Sequence, residues 1–277
     1  MNQDSKFLSS ATLKDKAKDA LAGNYGKMIL AALVIGLITF AMQFVVTLVQ
    51  SLLFNMYYII RGFSVDGLTQ DQMQLLIMEN AFEKIHQDLY TAITYITNQL
   101  LSIPVTVFNI GLSLCCLNLA CGRTMRVSDV FYGFRHQFAK SLKLAALLVL
   151  ISQLYYLPGN FFYYIAGNDA DWQALLLFLL VYIAGVVIYI ILNLNFSQVF
   201  LLLLDFPGYS AGELIKLSAH IMKGHKARLF YIQLSFIPLL LLSFLTLFIG
   251  NLWLTPYMNL TYTFFFLNLM QAREKSS

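Results

Sequence analysis

Ionisable side chains are missing from long reaches of this sequence. No Asp, Glu, Lys, Arg or His occurs in residues 28–60, 89–122, 144–168, 172–204 or 229–272. Charged residues make up only 12% of the 277 residues, apolar ones 59%, and mean hydropathy is +0.69. One water-soluble core cannot hide so much apolar surface, so the natural solvent for this chain is lipid. The uncharged interior removes the carriers of proton-coupled transport and the ligands of metal-dependent intramembrane hydrolysis.

Cysteine is scarce too. Cys115, Cys116 and Cys121 sit near the end of one apolar stretch with no CxxC spacing, which argues against a disulfide framework or a zinc site and leaves packing as their role. Serine nucleophiles such as Ser113 or Ser197 lack a nearby base, because the four histidines all fall in loops. No enzyme activity, metal or cofactor is therefore expected. Nor is a cleavable signal peptide, since the first apolar run follows a polar, Lys-rich leader over 1–27 and exceeds a signal h-region in length.

A spanning helix needs roughly 20 apolar residues. Four of the stretches supply one span each, and 229–272 supplies two, interrupted around Gly250, Asn251, Trp253 and Pro256. The fold class predicted is all-α: a polytopic transmembrane bundle of about six spans in three hairpins. It forms a single membrane domain over 1–277, with an external loop or helix at 61–88 and cytoplasmic connections at 123–143 and 205–228.

Orientation follows from the basic residues. Of 18 Lys and Arg, all but Arg61 and Lys84 fall in the leader, the two connections and the tail, which places both termini on the cytoplasmic side of the cell membrane. A net charge of +4 with this distribution points to a membrane surface rather than nucleic acid. Trp172 and Trp253 fall at outer ends, near Tyr163, Tyr164 and Tyr257, as headgroup-level aromatics do. Outside, Met73, Ile77, Ala81 and Ile85 recur every four residues, predicting an amphipathic helix that runs into the second span.

Each cytoplasmic segment follows one plan: an amphipathic stretch, a glycine, basic residues, then a span. In the leader, Thr12 is the candidate N-cap, Leu13, Ala17 and Leu21 form one face, and Gly23-Asn24 stop the helix. Near residue 210, Ser210 and Glu213 make a capping box, Leu214, Leu217 and Ile221 the face, and Gly224 the stop. A shift of 201 positions pairs Leu13 with Leu214, Leu21 with Met222, Gly23 with Gly224 and Lys27 with Arg228. The middle segment opens at Ser128-Asp129 and continues through Phe131, Gly133, Phe134 and Arg135.

Such interfacial helices gain about 1 kcal/mol per basic residue at an anionic surface. The candidate contacts for anionic lipid or a partner are Lys14, Lys18, Lys27, Lys216, Lys223, His225, Lys226 and Arg228. Uncharged polar groups also enter the spans, at Asn98, Gln99 and Asn109 and most densely at Asn193, Asn195, Ser197 and Gln198. The last four are the candidate polar lining, or else bonds between helices. Pro104, Pro158-Gly159 and Pro238 predict kinks or breaks.

The stretch Met222-Lys-Gly-His-Lys226, with Leu229-Phe230, Leu234-Ser-Phe-Ile237, Thr246, Gly250, Leu252-Trp253 and Pro256-Tyr257, resembles the bacterial domain of unknown function 975 family of integral membrane proteins. Leu13-Lys14 through Gly23-Asn24-Tyr25 and Asp129-Val-Phe-Tyr-Gly-Phe134 resemble it as well. The resemblance implies a multi-span bundle and supplies no catalytic residues. The function expected is a non-enzymatic, lipid-interacting or partner-binding bundle, whose partners are anionic headgroups and a membrane protein or a second copy. A transporter or channel for an uncharged or lipid-like solute is the alternative.

Overall fold

The computed structural model describes residues 7–61, 70–166, 172–247 and 249–274, and gives the backbone alone for 56–61, 70–88, 154–166 and 174. Among the described residues the fold is all helix and turn. In chain order these are α1 (Ser10–Leu21), α2 (Tyr25–Arg61), α3 (Gln70–Ala120), a 3₁₀ turn (Val127–Phe131), α4 (Tyr132–Arg135) and α5 (Phe138–Ala166). There follow α6 (Trp172–Phe196), α7 (Val199–Asp205), α8 (Ala211–Ile221), α9 (Lys226–Leu234), α10 (Ile237–Leu245) and α11 (Asn251–Glu274).

Four stretches are long and apolar enough to cross a membrane: Tyr25–Asn55, Leu89–Ala120, Leu175–Asp205 and Lys226–Leu245. Leu37, Phe40, Leu53, Leu100, Leu180 and Leu241 are each more than 60% exposed along them, an apolar surface that only lipid or protein can cover. The predicted amphipathic helix is present as backbone, since α3 starts at Gln70; the side chains of Met73, Ile77, Ala81 and Ile85, like those of Tyr163 and Tyr164, lie outside what the structure describes.

Two compact units emerge, Met1–Ile35 with Thr106–Ser277, and Gly36–Val105. In the smaller, α2 and α3 meet through Gln43 Nε2, which donates to Asn98 Oδ1 at 3.1 Å, and through Phe54 and Tyr90, whose rings lie 4.5 Å apart. In the larger, α5 and α6 pack along each other, and α11 is largely enclosed, with Leu260, Phe265 and Phe266 fully buried.

The proline expectations divide. Helix α3 continues through Pro104, because neighbouring backbone bonds hold a long helix across one missing donor. Helix α5 likewise runs past Pro158 to Ala166. Pro256 lies inside α11, so the break between the last two long segments lies before Asn251 rather than at the proline. Pro238 stands in the first turn of α10, where its missing N–H costs nothing, just after a break at Ser235-Phe236. A further break, at Ser197-Gln198 between α6 and α7, involves no proline.

Three short segments each pack on a long helix. Helix α1 packs on α11, with Leu13, Ala17 and Leu21 fully buried. The 3₁₀ turn and α4 sit on the end of α3, where Phe108 meets Phe131 and Phe134 at 5.7 and 4.7 Å between ring centroids. Helix α8 packs on α6 and α7, and Ser218 Oγ donates to the Asn195 carbonyl at 2.7 Å. The faces predicted to lie in the headgroup boundary are thus covered by protein.

The 201-residue repeat is also visible in three dimensions. Ser9 caps α1 by accepting from Thr12 N, displacing the expected cap from Thr12, and Ser210 caps α8 with Glu213 completing the box. Gly23 and Gly224 have φ of 77° and 85°, the left-handed conformation that ends a helix without a Cβ penalty. Buried Leu13, Ala17, Leu21 and Met28 correspond to buried Leu214, Ser218, Met222 and Leu229.

Candidate functional site: an uncharged polar cavity

Three helices of the larger unit carry the same short pattern, an asparagine followed four residues later by a hydroxyl residue. Asn109 and Ser113 lie on α3, Asn259 and Thr263 on α11, while Asn193 on α6 pairs with Ser197 at the α6–α7 break. A spacing of four puts both polar groups on one helix face. All six residues line a single cavity of about 360 Å³, together with Cys116, Gln198, Gln233 and Tyr262. No ionisable acid, lysine, arginine or histidine lines it.

Its two ends differ. Asn109 and Asn193 are exposed, whereas Cys116, Gln198 and Thr263, further along the same segments, are at most 2% exposed. The cavity therefore opens at the asparagine end and closes toward the helix C-termini. From the asparagines to those C-termini is about 15–20 Å of helix at 1.5 Å per residue.

Hydrogen bonding shows what the cavity lacks. Ser113 Oγ and Thr263 Oγ1 donate back to the carbonyls of Asn109 and Asn259, at 2.7 and 2.9 Å. Ser197 Oγ donates to Leu194 O at 2.9 Å and accepts from Gln198 Nε2 at 2.9 Å. These hydroxyl protons are spent on the backbone, leaving oxygen lone pairs as acceptors. Gln198 Oε1 is buried with no hydrogen-bond partner among the described residues. An unmatched buried acceptor costs about 1–3 kcal/mol, a cost that a donor on a molecule in the cavity would relieve.

Of the four lining candidates read from the sequence, Asn193, Ser197 and Gln198 are brought together here. Asn195 is not a lining residue; its backbone carbonyl serves α8. Asn259, Tyr262, Thr263 and Gln233 were missed. A shift of 150 residues would have found Asn259 and Thr263: it pairs Asn109 with Asn259, Ser113 with Thr263, Leu117-Asn118-Leu119 with Leu267-Asn268-Leu269, and Arg123 with Arg273.

The eight candidate surface cations are not alike. Arg228 turns inward, where Nη2 donates to Asn268 Oδ1 at 2.9 Å and to the Leu8 carbonyl. The same Asn268 oxygen accepts from Leu8 N at 3.1 Å, and the guanidinium lies over the rings of Phe7 and Phe265. Lys14 Nζ donates to Ser235 O at 3.1 Å, capping a carbonyl freed by the α9–α10 break, and sits 4.2 Å above the Phe236 ring. Burial, then the charge of Lys18, lowers the pKa of that ammonium. Lys18 lies 5.8 Å from the Tyr257 ring centre. Lys27, Lys216 and Lys223 are exposed, and His225 and Lys226 half-buried.

Among the described residues no three or more His, Cys, Asp or Glu side chains are grouped to hold a metal. The family described as protein of unknown function (DUF975) matches residues 7–273. The chain belongs to this family. The DUF975 match takes in all three short packing segments and all three asparagine-bearing helices, running from Phe7 to Arg273. No curated protein and no solved structure matches the chain.

Proposed function

We propose that this chain is a six-span, non-catalytic protein of the cell membrane that binds and carries an uncharged, hydrogen-bonding molecule in the cavity between α3, α6–α7 and α11. Both termini lie in the cytoplasm, and the basic cytoplasmic end meets anionic headgroups. The spans are the four long apolar stretches together with α5 and α11, in three hairpins. The packing of α5 on α6 and of α10 on α11 supports that arrangement.

The observation that carries the reading is Gln198 Oε1, an acceptor buried without a partner in the lining of a polar cavity. Helix–helix glue would have paired it. With about 15–20 Å of helix between the asparagines and the basic ends, the cavity lies near the middle of a roughly 30 Å hydrocarbon core. It opens away from the cytoplasm. A ligand bearing hydroxyl or amide groups, which both donate and accept, fits this uncharged lining of amides and hydroxyls, as would the neutral head of a lipid-like molecule entering from the outer half of the bilayer.

Gln198→Leu separates binding from structure. If Oε1 is kept for a ligand, the substitution leaves stability unchanged or raises it by about 1–2 kcal/mol. Native mass spectrometry should then show neutral hydroxyl- or amide-bearing species on the wild-type protein and at least a tenfold loss from Gln198→Leu and Asn259→Leu. An equally loaded variant, or a bound set made only of acidic species, would overturn the reading.

A further inference from the structure

The smaller unit, a hairpin of α2 and α3, presents an apolar surface on which Leu37, Phe40, Phe44, Leu53 and Leu100 are each more than half exposed. Amides interrupt it. Gln43 is exposed and Asn98 half-buried, both inside stretches long and apolar enough to cross a membrane. Gln43 Nε2 donates to Asn98 Oδ1 at 3.1 Å and lies 3.5 Å from Thr47 Oγ1.

A side-chain amide both donates and accepts, so this bond uses only half of what the pair offers. Gln43 Oε1 and Asn98 Nδ2 have no partner among the described residues. Exchanging O and N in both side chains leaves the same surplus, one acceptor beside one donor. Further along the same two helices, Gln50 Nε2 and Thr94 Oγ1 are buried without a hydrogen-bond partner. The hairpin therefore does not saturate its own polar seam.

Lipid tails offer such groups no hydrogen bond, and water is excluded at that depth. An acceptor beside a donor is self-complementary: a second copy turned by half a rotation presents the donor to the acceptor and the acceptor to the donor. All copies insert with the same sense, so the axis runs along the membrane normal. We propose that this protein forms a twofold dimer through α2 and α3, with Asn98 Nδ2 of each copy donating to Gln43 Oε1 of the other. The symmetry makes the bond twice. Phe40, one turn before Gln43 on the same face, supplies apolar cover beside it.

The test uses the full-length protein carrying one fluorophore on the exposed Cys121, reconstituted in phosphatidylcholine vesicles at a series of protein densities and counted by photobleaching steps. Wild-type protein should pass from two steps to one on dilution. Gln43→Met and Asn98→Leu keep the side-chain size and remove the amide. Each should weaken the dimer about tenfold or more, since both interchain bonds are lost together. Gln43→Asn combined with Asn98→Gln keeps both amides and should stay within about threefold of wild type. Val45→Leu, two residues on and so on the opposite flank of α2, should change the midpoint less than about twofold.

A wild-type protein that stays single at every density, an assembly of more than two chains, or a dimer equally strong in Gln43→Met and Asn98→Leu would overturn the proposal. None of these outcomes bears on neutral species in the asparagine cavity.

Discussion

Gly111 occupies the tightest contact between α3 and the 3₁₀ turn. A Cβ there would fall inside van der Waals distance of the Val130 carbonyl and Cα, and backbone on both sides leaves nothing flexible to yield. Gly111→Ala should therefore lower stability by about 1–3 kcal/mol, the usual cost of overpacking. Gly26, inside α2, has nothing within 4 Å of a Cβ position. There Gly→Ala should be neutral or stabilising by up to roughly 1 kcal/mol through helix propensity. Thermal unfolding in one detergent, followed by loss of helical signal, checks both signs. A destabilised Gly26→Ala alongside a neutral Gly111→Ala would mean that the 3₁₀ turn does not seat against α3 in this way. At this scale the capping box at Ser210 and the stops at Gly23 and Gly224 were readable, because each depends on neighbours within a few residues. Gly111 was not, since its constraint comes from Val130 across a turn.

Short elements were legible as amphipathic stretches, while the surface that each covers was not. Leu13, Ala17 and Leu21 mark a helix face equally well whether lipid or α11 covers it, and periodicity cannot tell the two apart. The deciding residues are Arg228 and Asn268, far from the leader in sequence and joined to it at Leu8. Asn268→Leu would strand the guanidinium and the Leu8 amide together, removing about 2–3 kcal/mol of local stability. Amide exchange across residues 10–21 should then accelerate roughly 30- to 160-fold, as a locally opening helix does. Unchanged protection would show that the apolar face alone holds α1. Helix breaks resisted reading for a related reason. The α6–α7 break follows no proline or glycine, and Ser197 and Gln198 instead bond locally to Leu194 O and to each other, an alternative to the helical ladder that single-residue propensities do not reveal.

At the scale of the whole molecule, hydropathy and charge identified the long helices because both signals are sums over many residues. The asparagine cavity stayed hidden because its walls come from helices about 65 to 150 residues apart, each contributing a polar pair that alone reads as helix glue. What ties the two scales together is orientation. If the basic ends face the cytoplasm, the asparagine end of the cavity faces the outer half of the membrane. The native cysteines test this without any substitution. Cys115 and Cys116 are buried and Cys121 is exposed, at the end of α3 just before Arg123. A membrane-impermeant maleimide should leave the protein unlabelled in intact cells and modify Cys121 alone once the membrane is permeabilised, with Cys115 and Cys116 reacting only after unfolding. Labelling at Cys121 from outside an intact cell would invert the topology, and with it the side from which the cavity takes its ligand.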